Sequence, residues 1–255
     1  MMKTIWAVCQ KDLRVNVYSA RFFIAGFFFL IFMGAFFFYY VDSFVSFQQS
    51  RQTAGESLPG TSGLISSLFG VLHFVMILLI PALTMGTFAE ERKSGTLKHL
   101  LSSPVSPFKV VAGKFLSSVL MLLLIFISSL VFPIYLSFHG NVSVGLVFSA
   151  YLGLILLSVS QLAFGLWVSS LSRNQFSAFL FTMFGLFLLL IANMLSVSVK
   201  GLHWTHSVIK YLGASGHLSG FLHGVIRVSD ISYFAVFTLF FLFLTTVSYD
   251  SYRWK

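Results

Sequence analysis

Long runs of apolar side chains separated by short polar segments set the pattern of this chain. The 20 residues from Phe22 to Val41 carry no charge, about the length at which a helix rising ~1.5 Å per residue crosses a ~30 Å hydrocarbon layer. Comparable runs follow at Leu64–Ala89, Val110–Leu136, Val142–Leu171, Gln175–Val199 and Ile231–Ser248, the third interrupted only by Lys114 near its start. A membrane barrel would show short alternating segments instead. The pattern therefore predicts an all-α fold, a polytopic bundle of six transmembrane helices.

The segments between the runs have characters of their own. Residues 1–21 form a predicted amphipathic helix on the inner surface, with Ile5, Cys9, Leu13 and Val17 at four-residue spacing and Lys11 and Arg14 on another side. Asp42–Ser62, with its Gly, Ser, Gln and Pro, reads as an irregular outer loop. Residues 90–109 are the most charged part of the chain. Residues 200–230 are too polar to span and too apolar to float free, which predicts one or two short helices in the outer interface. No internal repeat or linker divides the chain, so 1–255 reads as one membrane domain.

Composition removes whole classes of function. Hydrophobic residues make up 57% and charged residues 9%, against about 25% charged in a soluble domain. The single cysteine, Cys9, excludes an intramolecular disulfide framework. A net charge of +9 does not point to nucleic acid, because the cations lie in short segments beside apolar runs and follow topology. Arg51, Lys200, Lys210 and Arg227 fall on one side of the six-span arrangement and the other twelve of the 16 Lys and Arg on the other. The positive-inside rule then places both termini in the cytoplasm.

Residues 90–107 read as two helix ends with a short helix between. Gly95 is placed for a left-handed cap after the second span. Thr96 caps a short helix whose Leu97, Leu100 and Leu101 share a face, Pro104 stops it, and Ser106-Pro107 restarts the third span. Taken alone, the same loop also fits an ordinary charged connection facing water and headgroups.

The order of residues carries more. From Pro81 to Phe115, PALTMGTFAEERKSGTLKHLLSSPVSPFKVVAGKF, the sequence resembles the permease subunits of ABC-2 type transporters: a Pro, an acidic-acidic-basic turn, Gly-Thr, Leu-Leu, Ser-Pro-Val-Ser and Gly-Lys appear in order. Gly216–Phe234, GHLSGFLHGVIRVSDISYF, is similar to the segment before the last span in permeases of the gliding-motility and nitrous-oxide-reductase-maturation type. The resemblance implies a non-catalytic permease in a bacterial inner membrane, paired with a second permease copy, identical or related, and driven by a separate ABC ATPase subunit that binds ATP and Mg. It implies no cofactor in this chain. It also implies that residues 90–109 are the coupling segment on which the ATPase docks, with Glu90, Glu91, Arg92, Gly95, Thr96 and Leu100 carrying the contact.

What the chain lacks agrees with a driven exporter. No phosphate loop occurs; Gly113-Lys114 is followed by Phe115 and has no upstream glycine. No Asp, Glu or central Lys or Arg lies in the assigned spans, which argues against an ion-coupled pump, and His73 reads as a packed helix residue. His203, His206, His217 and His223 read as interfacial packing ahead of a metal site. Gly145, Gly153 and Gly165 read as close-packing positions. Two alternatives remain at this stage: an ATP-driven coupling protein acting on an outer accessory partner without transport, and a membrane channel or scaffold independent of ATP.

Overall fold

The computed structural model describes residues 2–53, 62–95, 105–139, 143–198 and 213–252. Thr96, Leu100, the short helix expected after Gly95, and His203 and His206 lie outside them. Among the described residues all regular structure is helical: α1 (Met2–Val17), α2 (Ala20–Thr53), α3 (Ser62–Thr84), α4 (Ala89–Lys93), α5 (Pro107–Ser129), α6 (Val131–His139), α7 (Val144–Leu171), α8 (Gln175–Ser198), α9 (Ala214–Leu222) and α10 (Val228–Ser251). Five stretches are long and apolar enough to cross a membrane: Ala20–Ser50, Ile65–Lys93, Pro107–Phe138, Val144–Leu171 and Val228–Ser251. The remaining expected span is α8, apolar over Gln175–Ile191. This is an all-α polytopic membrane bundle.

Burial separates centre from rim. α3 and α7 are the most enclosed, and their Met76, Ile80, Leu154, Leu157 and Leu162 make the middle of the core. α2 and α10 expose most of their surface, including Phe23, Phe27, Phe38, Phe240 and Phe243. In water such faces would be an association hazard; in a bilayer they are the solvated side.

Three breaks in the helices have local causes. α5 ends at Ser129 and α6 begins at Val131, because Pro133 has no N–H for the Ser129 carbonyl and its ring crowds that carbonyl. α3 stops at Thr84, where the Thr84 and Thr87 hydroxyls donate to the carbonyls of Ile80 and Thr84, both at 2.9 Å, an alternative to helix continuation. Gly95, at φ 73°, follows α4 in the left-handed conformation that its position in the sequence predicts. Ser106 and Pro107 open α5 as N-cap and first-turn proline.

The expected outer loop from Asp42 is helical as far as Thr53. No Gly or Pro lies between Asp42 and Thr53 to end the helix, so polarity ends the span without ending the helix. At 34 residues and ~1.5 Å per residue, α2 is about 50 Å long and exceeds a ~30 Å hydrocarbon layer.

The first and last helices meet at one end of the bundle, here the proximal end: α1 packs along the first half of α5, and Tyr249 of α10 and the following Tyr252 meet Phe88 and Arg92. At the distal end the short α9 is drawn into the bundle. Phe221 is fully buried, Ser149 donates to its carbonyl, and Ser66 donates to the Leu222 carbonyl at 3.0 Å. His217 Nδ1 pairs with Asp230 Oδ1 at 2.7 Å and its ring stacks on Tyr233. Of the three glycines read as packing sites, Gly153 faces Phe221 and Gly165 faces Thr84, whereas nothing lies within 4 Å of a Cβ at Gly145. The expectation for Gly145 is corrected: it sits in the first turn of α7, clear of any described residue.

A Cβ at Gly153 would fall 2.5 Å from that of Phe221. Gly153→Ala should therefore lower stability by about 1–3 kcal/mol, the usual cost of overpacking, read as a lower thermal midpoint in detergent. Gly145→Ala should leave the midpoint unchanged or slightly raised. Equal midpoints for the two variants would contradict this packing of α9.

Candidate functional site

The proximal end is organised by a lysine in an apolar helix. Lys114 lies about two turns into α5 and is 2% exposed. A cation there is tolerable only if its N–H donors and its charge are both met. Its Nζ donates to Glu91 Oε1 at 2.8 Å, to the Thr87 carbonyl at 2.9 Å and to Asp12 Oδ2 at 3.0 Å. Three donors meet three acceptors. Lys11, on the exposed side, lies 3.7 Å from Asp12 and 3.9 Å from Glu91, so two cations and two carboxylates form a neutral group. Phe88 closes one side, its ring centre 5.2 Å from the ammonium.

Each acceptor has a reason to be where it is. Thr87 lies in the tight turn between α3 and α4, where backbone carbonyls lack helical partners. Asp12 is carried in by α1, which approaches α5 closely because residue 113 is glycine. A Cβ there would fall 2.8 Å from that of Val8 and 3.0 Å from the Ile5 carbonyl oxygen. The inner stripe of α1 therefore has Cys9 and Asp12 as its buried members, with Leu13 and Val17 only half-buried. Trp6 and Val15 face outward, as they would on a helix lying at a membrane surface.

Three consecutive side chains of α4 reach three different places. Glu90 Oε2 pairs with Arg21 Nη2 at 2.7 Å, at the start of α2. Gly86 leaves room for this pair, since a Cβ there would fall 2.6 Å from Arg21 Nη1. Glu91 turns to Lys114 and Lys11. Arg92 Nη1 donates to the carbonyls of Leu171 and Ser172, both at 3.0 Å, and lies over the Tyr252 ring. The turn is also tied to α7 by Ser169, whose Oγ accepts from the N–H of Phe88 at 3.2 Å and of Ala89 at 3.4 Å.

The sequence reading gave Glu90, Glu91 and Arg92 to a partner. In the fold their side chains are engaged by this chain's own α2, α5, α1 and α7 and by Tyr252, just past α10. Gly95 is where the chain leaves that tied turn, and Thr96 and Leu100 lie outside the described residues. The reading missed Lys114, Asp12 and Arg21. A signal was available: a lysine two turns inside an apolar helix requires acceptors, and the chain has only seven Asp and Glu to supply them.

His73 is buried within α3 and takes no part in this cluster. No group of three or more His, Cys, Asp or Glu suited to a metal occurs among the described residues. His217 is committed to Asp230, and His223 is exposed.

Two measurements test the cluster. Burial, and after it the negative Asp12, raise the Cys9 thiol above its ordinary range, so little thiolate is present near pH 8. Maleimide labelling of folded protein should be far slower than after denaturation, should accelerate as pH rises toward the raised value, and should speed up in Lys114→Met. Labelling at the rate of a free thiol would contradict docking of α1. Lys114→Met should also cost about 3–5 kcal/mol by stranding two carboxylates, whereas Lys114→Met with Asp12→Leu and Glu91→Met should recover most of it. Thermal midpoints of the two variants decide the point.

Comparison with known proteins adds one finding. No curated protein matches the sequence. A family model described as ABC-2 family transporter protein matches residues 6–251, which takes in most of α1, the tied turn, all the long apolar helices and the whole of α10. The chain belongs to the ABC-2 transporter family, as a multi-pass membrane permease component of an ABC system.

Proposed function

We propose that this permease works with a separate ABC ATPase subunit that docks on the segment leaving the tied turn, residues 90–109, and that ATP-driven movement there is passed to the spans to export a substrate. The observation that supports this is the division of α4 among four other helices and Tyr252, the residue that follows α10. A push on a loop anchored to one helix would be lost in bending, whereas one anchored through Glu90, Glu91 and Arg92 moves α1, α2, α5, α7 and α10 together. Thr96 and Leu100 follow that anchor and form the contact face.

In this reading Glu91 and Arg92 position the coupling segment, Gly95 sets its direction, and ATP and Mg are bound by the partner. A second permease copy, identical or related, completes the pathway. In this reading the membrane is a bacterial inner membrane and the proximal end faces the cytoplasm, an orientation that the Lys and Arg distribution supports. Phe-rich walls suit an apolar or amphiphilic cargo.

The extension of α2 supports one other reading. A polar helix from Asp42 to Thr53 beyond the distal membrane face is a handle for an outer accessory protein, on which ATP-driven movement would act without transport. Crosslinking from that segment separates the two, since one dominant captured protein favours the mechanical reading.

Co-expression with candidate ATPase subunits, pull-down through this chain and ATPase assay in nanodiscs test the proposal. Wild type should retain an ATPase. Gly95→Pro forces φ from 73° to about −65° and should lower complex-dependent hydrolysis about tenfold or more, equivalent to losing roughly 1.4 kcal/mol of coupling. Glu91→Lys should do the same by opposing Lys114. Both variants should still insert. Unchanged hydrolysis in both would remove residues 90–109 from the coupling role, and capture of no ATPase would favour a channel or scaffold.

A further inference from the structure

Beside the tied turn, on the side of α7 and α8, two guanidinium groups have no carboxylate among the described residues. Arg92 uses one nitrogen on the carbonyls of Leu171 and Ser172 and rests 4.1 Å from the Tyr252 ring centre, and its other guanidinium nitrogens have no hydrogen-bond partner among the described residues. Arg173 is exposed and makes no hydrogen bond or ion pair with any described residue. Both border one open recess of about 480 Å³, closed by Leu171 and Tyr252. A second recess of about 550 Å³ shares Leu171 and Arg173 and continues past Asn174 and Ser177 to Phe181.

The chemistry changes along this double recess. At one end are two fixed positive charges. At the other is Phe181, 63% exposed, and between them Leu171, shared by both recesses, is 49% exposed. Its level in the membrane follows from α7. That helix has 28 residues, about 42 Å at ~1.5 Å each against a ~30 Å hydrocarbon layer. Its end at Leu171 and the turn to α8 therefore lie at headgroup depth. Guanidinium groups meet phosphate oxygens in paired, charge-assisted hydrogen bonds.

We infer that this recess binds a phospholipid of anionic headgroup, with the phosphate between Arg173 and Arg92 and the first chain carbons along Leu171 and Phe181. The occupant is a lipid and not a free anion because the apolar half adjoins the cationic half at the depth where lipid presents both. The site shares Arg92 with the proposed coupling turn, but its binding of lipid needs no ATPase.

The test uses the full chain in neutral detergent, titrated with phosphatidylglycerol or phosphatidylcholine and read by native mass spectrometry. Wild type should retain phosphatidylglycerol in preference. Arg173→Gln should weaken that binding about tenfold, as loss of a charge-assisted contact does, with phosphatidylcholine unaffected. Because Arg173 has no described partner, the variant should elute like wild type on size exclusion. Arg227→Gln removes the same charge at the distal end and should change nothing.

No preference in wild type, or equal loss in Arg173→Gln and Arg227→Gln, would overturn the site. Full displacement by excess inorganic phosphate would assign it to a free anion and overturn the lipid. Unchanged lipid binding in an Arg173→Gln variant that no longer retains an ATPase subunit would reassign the arginine to a protein contact.

Discussion

A lysine ammonium two turns inside a membrane helix must find acceptors, and the proximal end is arranged around the three that Lys114 finds. Insertion scales put a lysine at mid-helix at roughly 2.5–3.5 kcal/mol unfavourable, so the position is retained only with compensation. That compensation comes from three separate places in the chain: Asp12 from the N-terminal helix, the Thr87 carbonyl from a broken turn, and Glu91 from the short helix after it. One buried charge thus specifies how three distant segments meet. Apolar packing would stabilise the same contact with less directional demand, and the polar group fixes the register.

Around that charge the bundle divides its labour. The proximal end is held by ion pairs and by side chains bonded to backbone carbonyls. The distal end is held by the seating of Phe221 against Gly153, by two serine-to-backbone bonds and by the His217–Asp230 pair. Between them α3 and α7 are the most enclosed helices of the bundle. In the proposed coupling, a displacement applied at α4 would be delivered to whole helices.

The apolar runs made the bundle legible in the sequence, because span length is set by bilayer thickness and each run had that length. Gly95, Ser106 and Pro107 were legible because backbone geometry restricts which residues serve there. The continuation of α2 past Asp42 was not, since a polar segment free of Gly and Pro looks like a loop when only hydropathy is weighed. The kink at Leu130 lay in plain view at Pro133, yet hydropathy does not register a missing N–H. At the candidate site, Glu90, Glu91 and Arg92 stood out by charge, and their destinations did not. Pairing Glu91 with Lys114, 23 residues away, and Lys114 with Asp12, 102 residues away, depends on tertiary placement that local pattern does not carry. Lys114 could have been flagged by its burial requirement alone.

Hydrogen exchange of the wild-type and Lys114→Met chains, compared peptide by peptide in nanodiscs, tests most directly whether this one charge holds the proximal end together. The account predicts that amides of α1 and of residues 88–94 lose protection together while α9 and the middle of α7 keep theirs. Loss confined to α5, or none in α1 and the turn, would show that apolar contact alone holds the three segments and would contradict it.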